Sequence, residues 1–312
     1  MKLNKPNFWD YKKPNFLTYI LLPLTFPILI RNFFTKSFSK EKFHKIKTIC
    51  VGNIYVGGTG KTPLSIEIIK ILNNLNYKTC FIKKKYPNQL DEQKLLKSSG
   101  KLFCEKDRKN AVNKAINENF NVAIFDDGLQ DKKIKYDISI VCFNEKIGFG
   151  NGFLLPSGPL RENAKSLKEY DVVFLNGNNL NNEDLENKIK KEFAHLKVFK
   201  SVYSLTNLNE LDINERYLAF AGIGNFDNFC DMLKRNNLNI VNAILYPDHY
   251  NYKDTDIKKI RDLAKFSKAK IITTEKDYLR LNDENKKNIN VAKIKLNIKN
   301  KDNFINLLKD YL

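Results

Sequence analysis

Residues 51–63 read Val51-Gly52-Asn53-Ile54-Tyr55-Val56-Gly57-Gly58-Thr59-Gly60-Lys61-Thr62-Pro63, and this stretch decides the fold of the chain. Glycines have no Cβ and adopt φ > 0 easily, so successive N–H groups can point inward at phosphate oxygens. Lys61 would add a charge at the β- and γ-phosphates, and Thr62 would offer its hydroxyl to Mg²⁺ at the start of the next helix. The predicted nucleotide-binding loop comprises Val56, Gly57, Gly58, Thr59, Gly60, Lys61 and Thr62.

The sequence on both sides of this loop supports the interpretation. Residues 46–52 form a short apolar run typical of a buried strand, and apolar residues from Leu64 to Leu72 recur with helical spacing. Pro63 falls in the first turn of that helix, where a missing N–H costs little. The strict pattern has a further glycine where this chain has Tyr55. A glycine-rich turn before an ordinary helix is the alternative, and the flanking strand and helix favour the nucleotide loop.

Two carboxylates follow a later apolar run. Residues 122–125 read as a buried strand that ends in Asp126 and Asp127, and folds with such loops place the acidic partner of Mg²⁺ at the C-terminal end of a strand. Without the loop, Asp126 and Asp127 before a glycine would be read as a turn. The pairing of loop and acids therefore predicts Thr62, Asp126 and Asp127 as metal ligands.

A passage rich in glycine and proline covers residues 148–162, and such punctuation marks a loop, a hinge or a domain boundary. Glu162, at its end, is a further candidate metal ligand that could reach the cation from this loop. Ion pairing in the neighbourhood of Arg161 explains Glu162 equally well.

Composition bounds the remaining possibilities. The chain has 312 residues, enough for two compact domains, and a formal net charge of +19, which attracts polyanions such as nucleic acid, anionic lipid or phosphorylated sugars. No zinc-finger spacing or aromatic RNA-binding signature is present, so nucleic acid is the less favoured partner. The five cysteines include no Cys-x-x-Cys pair and fall mostly in apolar runs, which favours buried thiols in a reducing, cytosolic compartment.

The N-terminal segment is apolar. The 17 residues from Pro14 to Ile30 carry no charge and are flanked by basic residues on both sides. A transmembrane helix needs about 20 residues, and Pro23 and Pro27 would interrupt it, so we expect an interfacial element on an anionic leaflet. A signal peptide is disfavoured because no small-residue cleavage site is evident. A helix buried in the core remains an alternative.

Short apolar runs and helical stretches alternate along the rest of the chain, which is the pattern of a mostly parallel sheet covered by helices. We therefore predict an α/β fold with a P-loop NTPase-like sheet, helices on both of its faces, and a second, smaller α/β domain. The predicted division is 1–44 for an N-terminal membrane-associated helical segment, 45–147 for the P-loop domain, 148–165 for a Gly/Pro-rich linker, 166–298 for the second domain and 299–312 for a C-terminal helix that packs back on the first domain.

Several motifs together resemble the tetraacyldisaccharide 4′-kinase family, the lipid A kinases of outer-membrane biogenesis. Residues 51–63 resemble the family's Val-Gly-Asn-x-x-x-Gly-Gly-[Thr/Ser]-Gly-Lys-Thr-Pro, which requires no glycine at the position of Tyr55. Residues 126–130, Asp-Asp-Gly-Leu-Gln, are similar to its Asp-Asp-Gly-x-Gln, and residues 155–162 to its Pro-x-Gly-Pro-Leu-Arg-Glu. Tyr-Pro-Asp-His-Tyr at 246–250 and Thr-Thr-Glu-Lys-Asp at 273–277 also look like family signatures, so the resemblance spans nearly the full length.

The resemblance implies transfer of the γ-phosphoryl group of ATP, with Mg²⁺, to the 4′-hydroxyl of a tetraacylated glucosamine disaccharide 1-phosphate, a lipid A precursor in lipopolysaccharide biosynthesis. It implies a peripheral or monotopic location on the cytoplasmic face of the bacterial inner membrane. It further implies that Asp91 deprotonates the hydroxyl with help from His249, while Lys61 completes the catalytic set. We expect a monomer that binds no nucleic acid.

This sequence departs from the family at two places. Lys83-Lys84-Lys85-Tyr86 stands where a Ser-Arg-Gly-Tyr-like segment is usual, and Asp131 stands where the family usually has histidine. Both departures concern the binding of the acceptor more than the phosphate site.

Two other functions compete with the kinase. A switch ATPase of the partitioning type also carries Gly-Gly-x-Gly-Lys-Thr, but it needs a lysine just before the glycine pair, where this chain has Val56. A nucleic-acid-stimulated NTPase would use the high positive charge, and salt-sensitive DNA binding would favour it.

Overall fold

A computed structural model of the chain describes residues 5–36, 40–86, 89–177 and 183–312. The chain divides into two compact units. The larger unit contains Lys5–Lys85, Leu96–Ser201 and Ile298–Leu312, and the smaller unit contains Tyr86–Leu95 and Val202–Asn297. Each unit has hydrophobic core clusters of its own.

Strands and helices alternate along the chain, as the periodicity predicts. The strands are β1 (Lys47–Gly52), β2 (Thr79–Lys84), β3 (Leu102–Glu105), β4 (Val122–Asp126), β5 (Ile138–Asn144), β6 (Val172–Asn176), β7 (Lys197–Leu205), β8 (Arg216–Ala221), β9 (Asn239–Leu245), β10 (Lys270–Thr274), β11 (Ile289–Ala292) and β12 (Ile294–Ile298). The α-helices are α1 (Phe16–Ile20), α2 (Phe26–Lys36), α3 (Lys61–Asn74), α4 (Leu90–Ser99), α5 (Arg108–Asn117), α6 (Glu183–Glu192), α7 (Phe226–Arg235), α8 (Asp254–Phe266), α9 (Glu275–Tyr278) and α10 (Lys301–Tyr311). Short 3₁₀ helices cover Asn7–Asp10, Leu22–Thr25, Ala164–Glu169 and Leu208–Glu210.

An eight-stranded sheet has the order β12-β7-β6-β5-β1-β4-β2-β3. The pairings from β7 across to β3 are parallel. Every residue of β4 and β5 is buried, as expected for strands whose two faces are both covered. The prediction of a mostly parallel α/β sheet is confirmed, and β1, which leads into the nucleotide loop, lies between β4 and β5.

The smaller unit contains a second, four-stranded sheet in the order β11-β10-β8-β9, with parallel pairing throughout. One core cluster includes residues of α7 and the other includes residues of α8. The strongly amphipathic pattern of α7 follows from this packing, because Phe229, Met232 and Leu233 are buried on one side of the helix.

The boundaries of the two units differ from the sequence-based division. Residues 148–201 belong to the larger unit, whereas Tyr86–Leu95 belongs to the smaller one. The reason is that β6 pairs with β5 from Val172 to Asn176, so the chain returns to the first sheet after the Gly/Pro-rich passage. Such a passage marks a loop in the sequence, but it does not indicate which sheet the next strand joins.

The N-terminal segment consists of short helical pieces in the larger unit. α1 ends at Ile20, a 3₁₀ helix contains Pro23, and α2 begins just before Pro27, so the prolines interrupt the segment as the sequence predicts. None of the helices in the described part of the chain is both long and apolar enough to cross a bilayer. The segment is attached through Trp9, whose indole N–H donates to the Pro156 carbonyl at 3.0 Å.

The cysteines are unpaired thiols. Cys50, Cys80, Cys142 and Cys230 are buried, as expected, and Cys104 is partly exposed. Burial raises the pKa of these thiols, which therefore behave as small apolar side chains.

Candidate active site

The loop between β1 and α3 has the backbone conformation that its glycines predict. Gly57 has φ +124° and Gly60 has φ +86°, which residues with a Cβ rarely adopt. Asn53 braces the loop, since its amide donates to the Gly57 carbonyl at 3.3 Å and to the Thr59 hydroxyl at 2.9 Å. Within the described residues, no protein acceptor is recorded for the N–H groups of Gly57, Gly58, Thr59 and Gly60. These donors, at the start of α3, are suited to phosphate oxygens.

Asp126 lies next to the hydroxyl at the start of α3. Parallel pairing of β1 with β4 places it beside Val51, close to where the loop begins. The Thr62 hydroxyl donates to Asp126 Oδ2 at 3.2 Å. Asp126 is fully buried, and its Oδ1 has no hydrogen-bond partner among the described residues. The structure thus brings together two of the residues predicted to hold the metal.

Asp127 lies beside Lys61. Its Oδ1 lies 3.9 Å from Lys61 Nζ, and Arg161 Nη1 donates to its two carboxylate oxygens at 2.9 and 3.2 Å. Asp127 itself has φ +64°, a left-handed conformation that is uncommon outside glycine and frequent at functional sites. Arg161 was not predicted as a site residue, although its place in the Pro-Leu-Arg-Glu motif was a usable signal.

Glu162 makes contacts of another kind. Its carboxylate accepts from Gln130 Nε2 at 2.9 Å, from Lys132 Nζ at 3.0 Å and from the Tyr170 hydroxyl at 2.9 Å. No recorded contact within the described residues joins it to Thr62, Asp126 or Asp127. The geometry favours ion pairing for Glu162, with Lys132 as the partner, over the predicted metal role.

The donor set at the loop fits Mg²⁺. The described residues contain no group of three or more His, Cys, Asp or Glu side chains arranged for a metal. Mg²⁺ in nucleotide sites needs no such cage, because it takes one or two protein oxygens and completes its shell with phosphate oxygens and water. The Thr62 hydroxyl and the unpartnered Oδ1 of buried Asp126 supply such oxygens.

A buried lysine beside Asp126 is the main feature that the sequence did not reveal. Lys83 Nζ lies 2.8 Å from Asp126 Oδ2, and the lysine side chain is only 1% exposed. The sequence indicated that residues 83–86 depart from the family pattern, but three consecutive lysines at the end of a strand gave no sign that the first is buried.

Asp91 and His249 meet in the smaller unit. Asp91, in the first turn of α4, lies 3.1 and 3.2 Å from His249 Nδ1 through its two carboxylate oxygens. His249 follows β9 with φ +56°, and its backbone N–H donates to the Gly222 carbonyl at 3.1 Å. The structure therefore brings together the predicted base and its histidine, which are far apart in sequence.

Arg280 holds this pair and was not predicted. Its Nη2 donates to Asp91 Oδ2 at 2.6 Å, while its Nη1 donates to Asp277 at 2.7 Å and to the Gly222 carbonyl at 2.8 Å. Burial by itself raises the pKa of Asp91, but the hydrogen bond with His249 and the charges of Arg280 and Lys276 hold it well below the usual range. Asp91 is consequently ionised at neutral pH.

The ionised carboxylate of Asp91 fixes the orientation of the His249 ring. A carboxylate can only accept hydrogen bonds, so the contact of Asp91 with Nδ1 is made through a ring hydrogen on that nitrogen. Nε2 faces the carboxylates of Glu92 at 3.8 Å and Asp248 at 3.9 Å; the side chain of His249 is 20% exposed, whereas that of Asp91 is 3% exposed. His249 is thus the more exposed member of the pair.

The predicted site residues thus form two groups. Lys61, Thr62, Asp126 and Asp127 lie in the larger unit, and Asp91 and His249 lie in the smaller one. Local sequence predicted the first group and the family resemblance implied the second, whereas the buried cations within them, Lys83 and Arg280, became visible only in the structure.

Comparisons with known proteins agree on one family. The profile of the family described as "Tetraacyldisaccharide-1-P 4′-kinase" matches residues 19–312. A tetraacyldisaccharide 4′-kinase of Pelagibacter ubique (strain HTCC1062) is 53% identical over 310 residues, covering 99% of this chain and 98% of that protein. One of Rickettsia bellii (strain OSU 85-389) is 34% identical over 300 residues, covering 91% of each.

A solved structure resembles the fold. The crystal structure titled as the "apo" form of LpxK from Aquifex aeolicus in complex with ATP aligns with a TM-score of 0.70 and 22% identity. The alignment covers 95% of this chain and 99% of that one. At this identity the likeness shows a shared fold.

Proposed function

We propose roles in phosphoryl transfer for the two groups of site residues. The chain belongs to the tetraacyldisaccharide-1-P 4′-kinase family. The chain is an ATP-dependent kinase that phosphorylates the 4′-hydroxyl of the lipid A precursor, a step of lipopolysaccharide biosynthesis. The switch ATPase and the nucleic-acid-stimulated NTPase are not favoured, because the family match covers nearly the full length. The observation that carries the assignment of residues is the glycine loop with free N–H donors beside Thr62 and Asp126.

The loop binds the triphosphate of ATP. Its N–H donors neutralise phosphate oxygens at the start of α3, and the ammonium of Lys61 adds a charge at the β- and γ-phosphates. The N–H of Val56 donates instead to the Pro159 carbonyl at 2.9 Å, which fixes the start of the loop. Such positioning lowers the barrier to phosphoryl transfer, because this reaction depends mainly on alignment and charge neutralisation.

Thr62 and Asp126 would hold Mg²⁺, which would supply neutralisation of the phosphate charge. Asp126 is preferred over Asp127 as the metal ligand because Asp126 contacts the Thr62 hydroxyl and keeps one oxygen without a partner in the described part of the chain. Asp127 instead positions Arg161 and Lys61, both of which carry charges suited to phosphate.

The sugar proton is accepted by the Asp91–His249 pair. His249 Nε2 takes the proton from the 4′-hydroxyl, and the carboxylate of Asp91 stabilises the imidazolium that results. Arg280 is a positioning residue, because it contacts Asp91 and keeps it ionised. This assignment changes the sequence-based one, in which Asp91 itself removed the proton.

The N-terminal segment attaches the enzyme to a membrane surface. Two of its threonines face inward, with Thr18 at 0% and Thr25 at 4% exposure, whereas Phe16 and Phe33 are 77% and 72% exposed. This inverted pattern suits an apolar environment outside the protein and basic residues suit anionic headgroups. We therefore place the enzyme peripherally on the cytoplasmic leaflet of the inner membrane, as a monomer without a nucleic-acid partner.

The experiment that tests the kinase is transfer of labelled γ-phosphate from ATP to the purified tetraacylated disaccharide 1-phosphate in detergent micelles with Mg²⁺. Labelled 4′-phosphate in the lipid is the expected product. ATP hydrolysis that depends on DNA, with no label in the lipid, would contradict the assignment.

A further inference from the structure

Lys83 lies at the carboxyl end of β2, where the parallel register places it beside Asp126. Ile82 pairs with Phe125 in the β2–β4 ladder, so the next residue of each strand stands at the same edge of the sheet. The two side chains are 1% and 0% exposed, and their charged atoms are 2.8 Å apart. A buried ammonium needs a carboxylate to offset the loss of its hydration, so this contact is a fixed part of the site.

The two oxygens of Asp126 differ in their contacts. Oδ2 accepts from both Lys83 Nζ and the Thr62 hydroxyl, whereas Oδ1 is buried and has no recorded partner within the described residues. One negative charge therefore faces a resident positive charge on one oxygen while the other oxygen remains available to a second cation. Two cations on one buried carboxylate repel each other, and the repulsion is strong because the dielectric of the surroundings is low.

We propose that Lys83 is an internal counter-ion of Asp126 that stabilises the site without metal and lowers its affinity for Mg²⁺. The proposal rests on the assignment of Asp126 as a ligand of Mg²⁺ made above. In the metal-free protein, Lys83 offsets the buried negative charge of Asp126. When Mg²⁺ and ATP bind, the ammonium remains in the site as an additional positive charge near the phosphates, at the cost of weaker metal binding.

Lys83→Gln removes the charge and retains a hydrogen-bond donor of similar length. Lys83→Arg keeps the charge, and Lys85→Gln makes the same change at an exposed lysine two residues along the chain. Binding of a fluorescent ATP analogue is followed as Mg²⁺ is titrated, together with the melting temperature in the presence of a chelator. Neither readout depends on catalysis.

For Lys83→Gln we expect the half-saturating Mg²⁺ concentration to fall about tenfold or more. Its melting temperature should drop in the chelator and recover in excess Mg²⁺. Lys83→Arg and Lys85→Gln should match the wild-type protein in half-saturating Mg²⁺. An unchanged or higher half-saturating Mg²⁺ concentration for Lys83→Gln overturns the proposal.

Two further outcomes keep the test decisive. If Lys83→Gln is unfolded in chelator, recovery of its fold by Mg²⁺ supports the proposal, and failure to recover overturns it. Asp126→Asn separates this proposal from the assignment beneath it, because wild-type Mg²⁺ dependence in that variant would remove Asp126 as a ligand whatever Lys83 does.

Discussion

Replacing Arg280 by methionine is expected to loosen the smaller unit and to weaken the base formed by Asp91 and His249. Arg280 Nη2 and Asp91 Oδ2 are 2.6 Å apart, and the side chains are 6% and 3% exposed, so solvent cannot take over the role of the guanidinium. Methionine keeps the length and apolar character of the stem but removes every hydrogen bond of the head group.

The size of the effect follows from this geometry. Breaking a buried ion pair by removing one partner costs about 3–5 kcal/mol, because the remaining charge stays buried after losing its counter-ion. Asp277 and the Gly222 carbonyl also lose a donor, which places the expected loss toward the upper end of that range. A loss of about 3–5 kcal/mol raises the population of the opened unit by roughly two to four orders of magnitude.

The pH dependence has a definite sign. The pKa of Asp91 in the folded protein lies below its unfolded value, so its contribution to stability is present above the unfolded pKa and is lost as pH falls through the folded pKa. Without Arg280, burial remains and a main lowering charge is gone, so the pKa of Asp91 rises. The stability difference between wild type and variant should therefore shrink as the pH is lowered, and the acid limb of kcat/KM should move to higher pH.

Amide hydrogen exchange of β8 measures the loosening within the smaller unit, since the single tryptophan, Trp9, belongs to the larger unit. Arg261→Met is the matched control, because Arg261 is exposed and its recorded acceptors are backbone carbonyls. Exchange of β8 at the wild-type rate, together with an unshifted acid limb, would refute the positioning role of Arg280.

Three further outcomes are expected. Lys61→Ala and Asp127→Ala should lower kcat/KM by at least about 100-fold with normal melting, and wild-type turnover in either variant would remove the phosphate-site assignment. His249→Ala should lower kcat by about 100-fold or more while binding of an ATP analogue stays within about twofold, and a loss confined to ATP affinity would contradict its role as base. Deletion of residues 1–34 should reduce partition onto anionic liposomes at least about tenfold in a sedimentation assay, and unchanged partition would remove the membrane proposal.

Much of this protein follows from local sequence. The glycine loop, the buried strand before it and the helix after it are encoded by neighbouring residues, because backbone conformation and hydrophobic period act over a few positions. The same holds for the parallel sheet, for the proline-interrupted N-terminal segment, and for the motifs that identify the kinase family, whose function the comparisons confirm. Asp126 could be predicted beside Thr62 because parallel strands end at one edge of a sheet.

Only the tertiary structure decided what surrounds those residues. Strand register buried Lys83 against Asp126 and left Lys85 exposed, although the two residues are identical in the sequence. Because the chain returns to the first sheet, residues 148–201 belong to the larger unit. Arg280 contacts Asp91, although the two residues are 189 positions apart in the sequence. The charge state and contacts of a side chain depend on neighbours that are distant in sequence, and the local pattern carries no record of them.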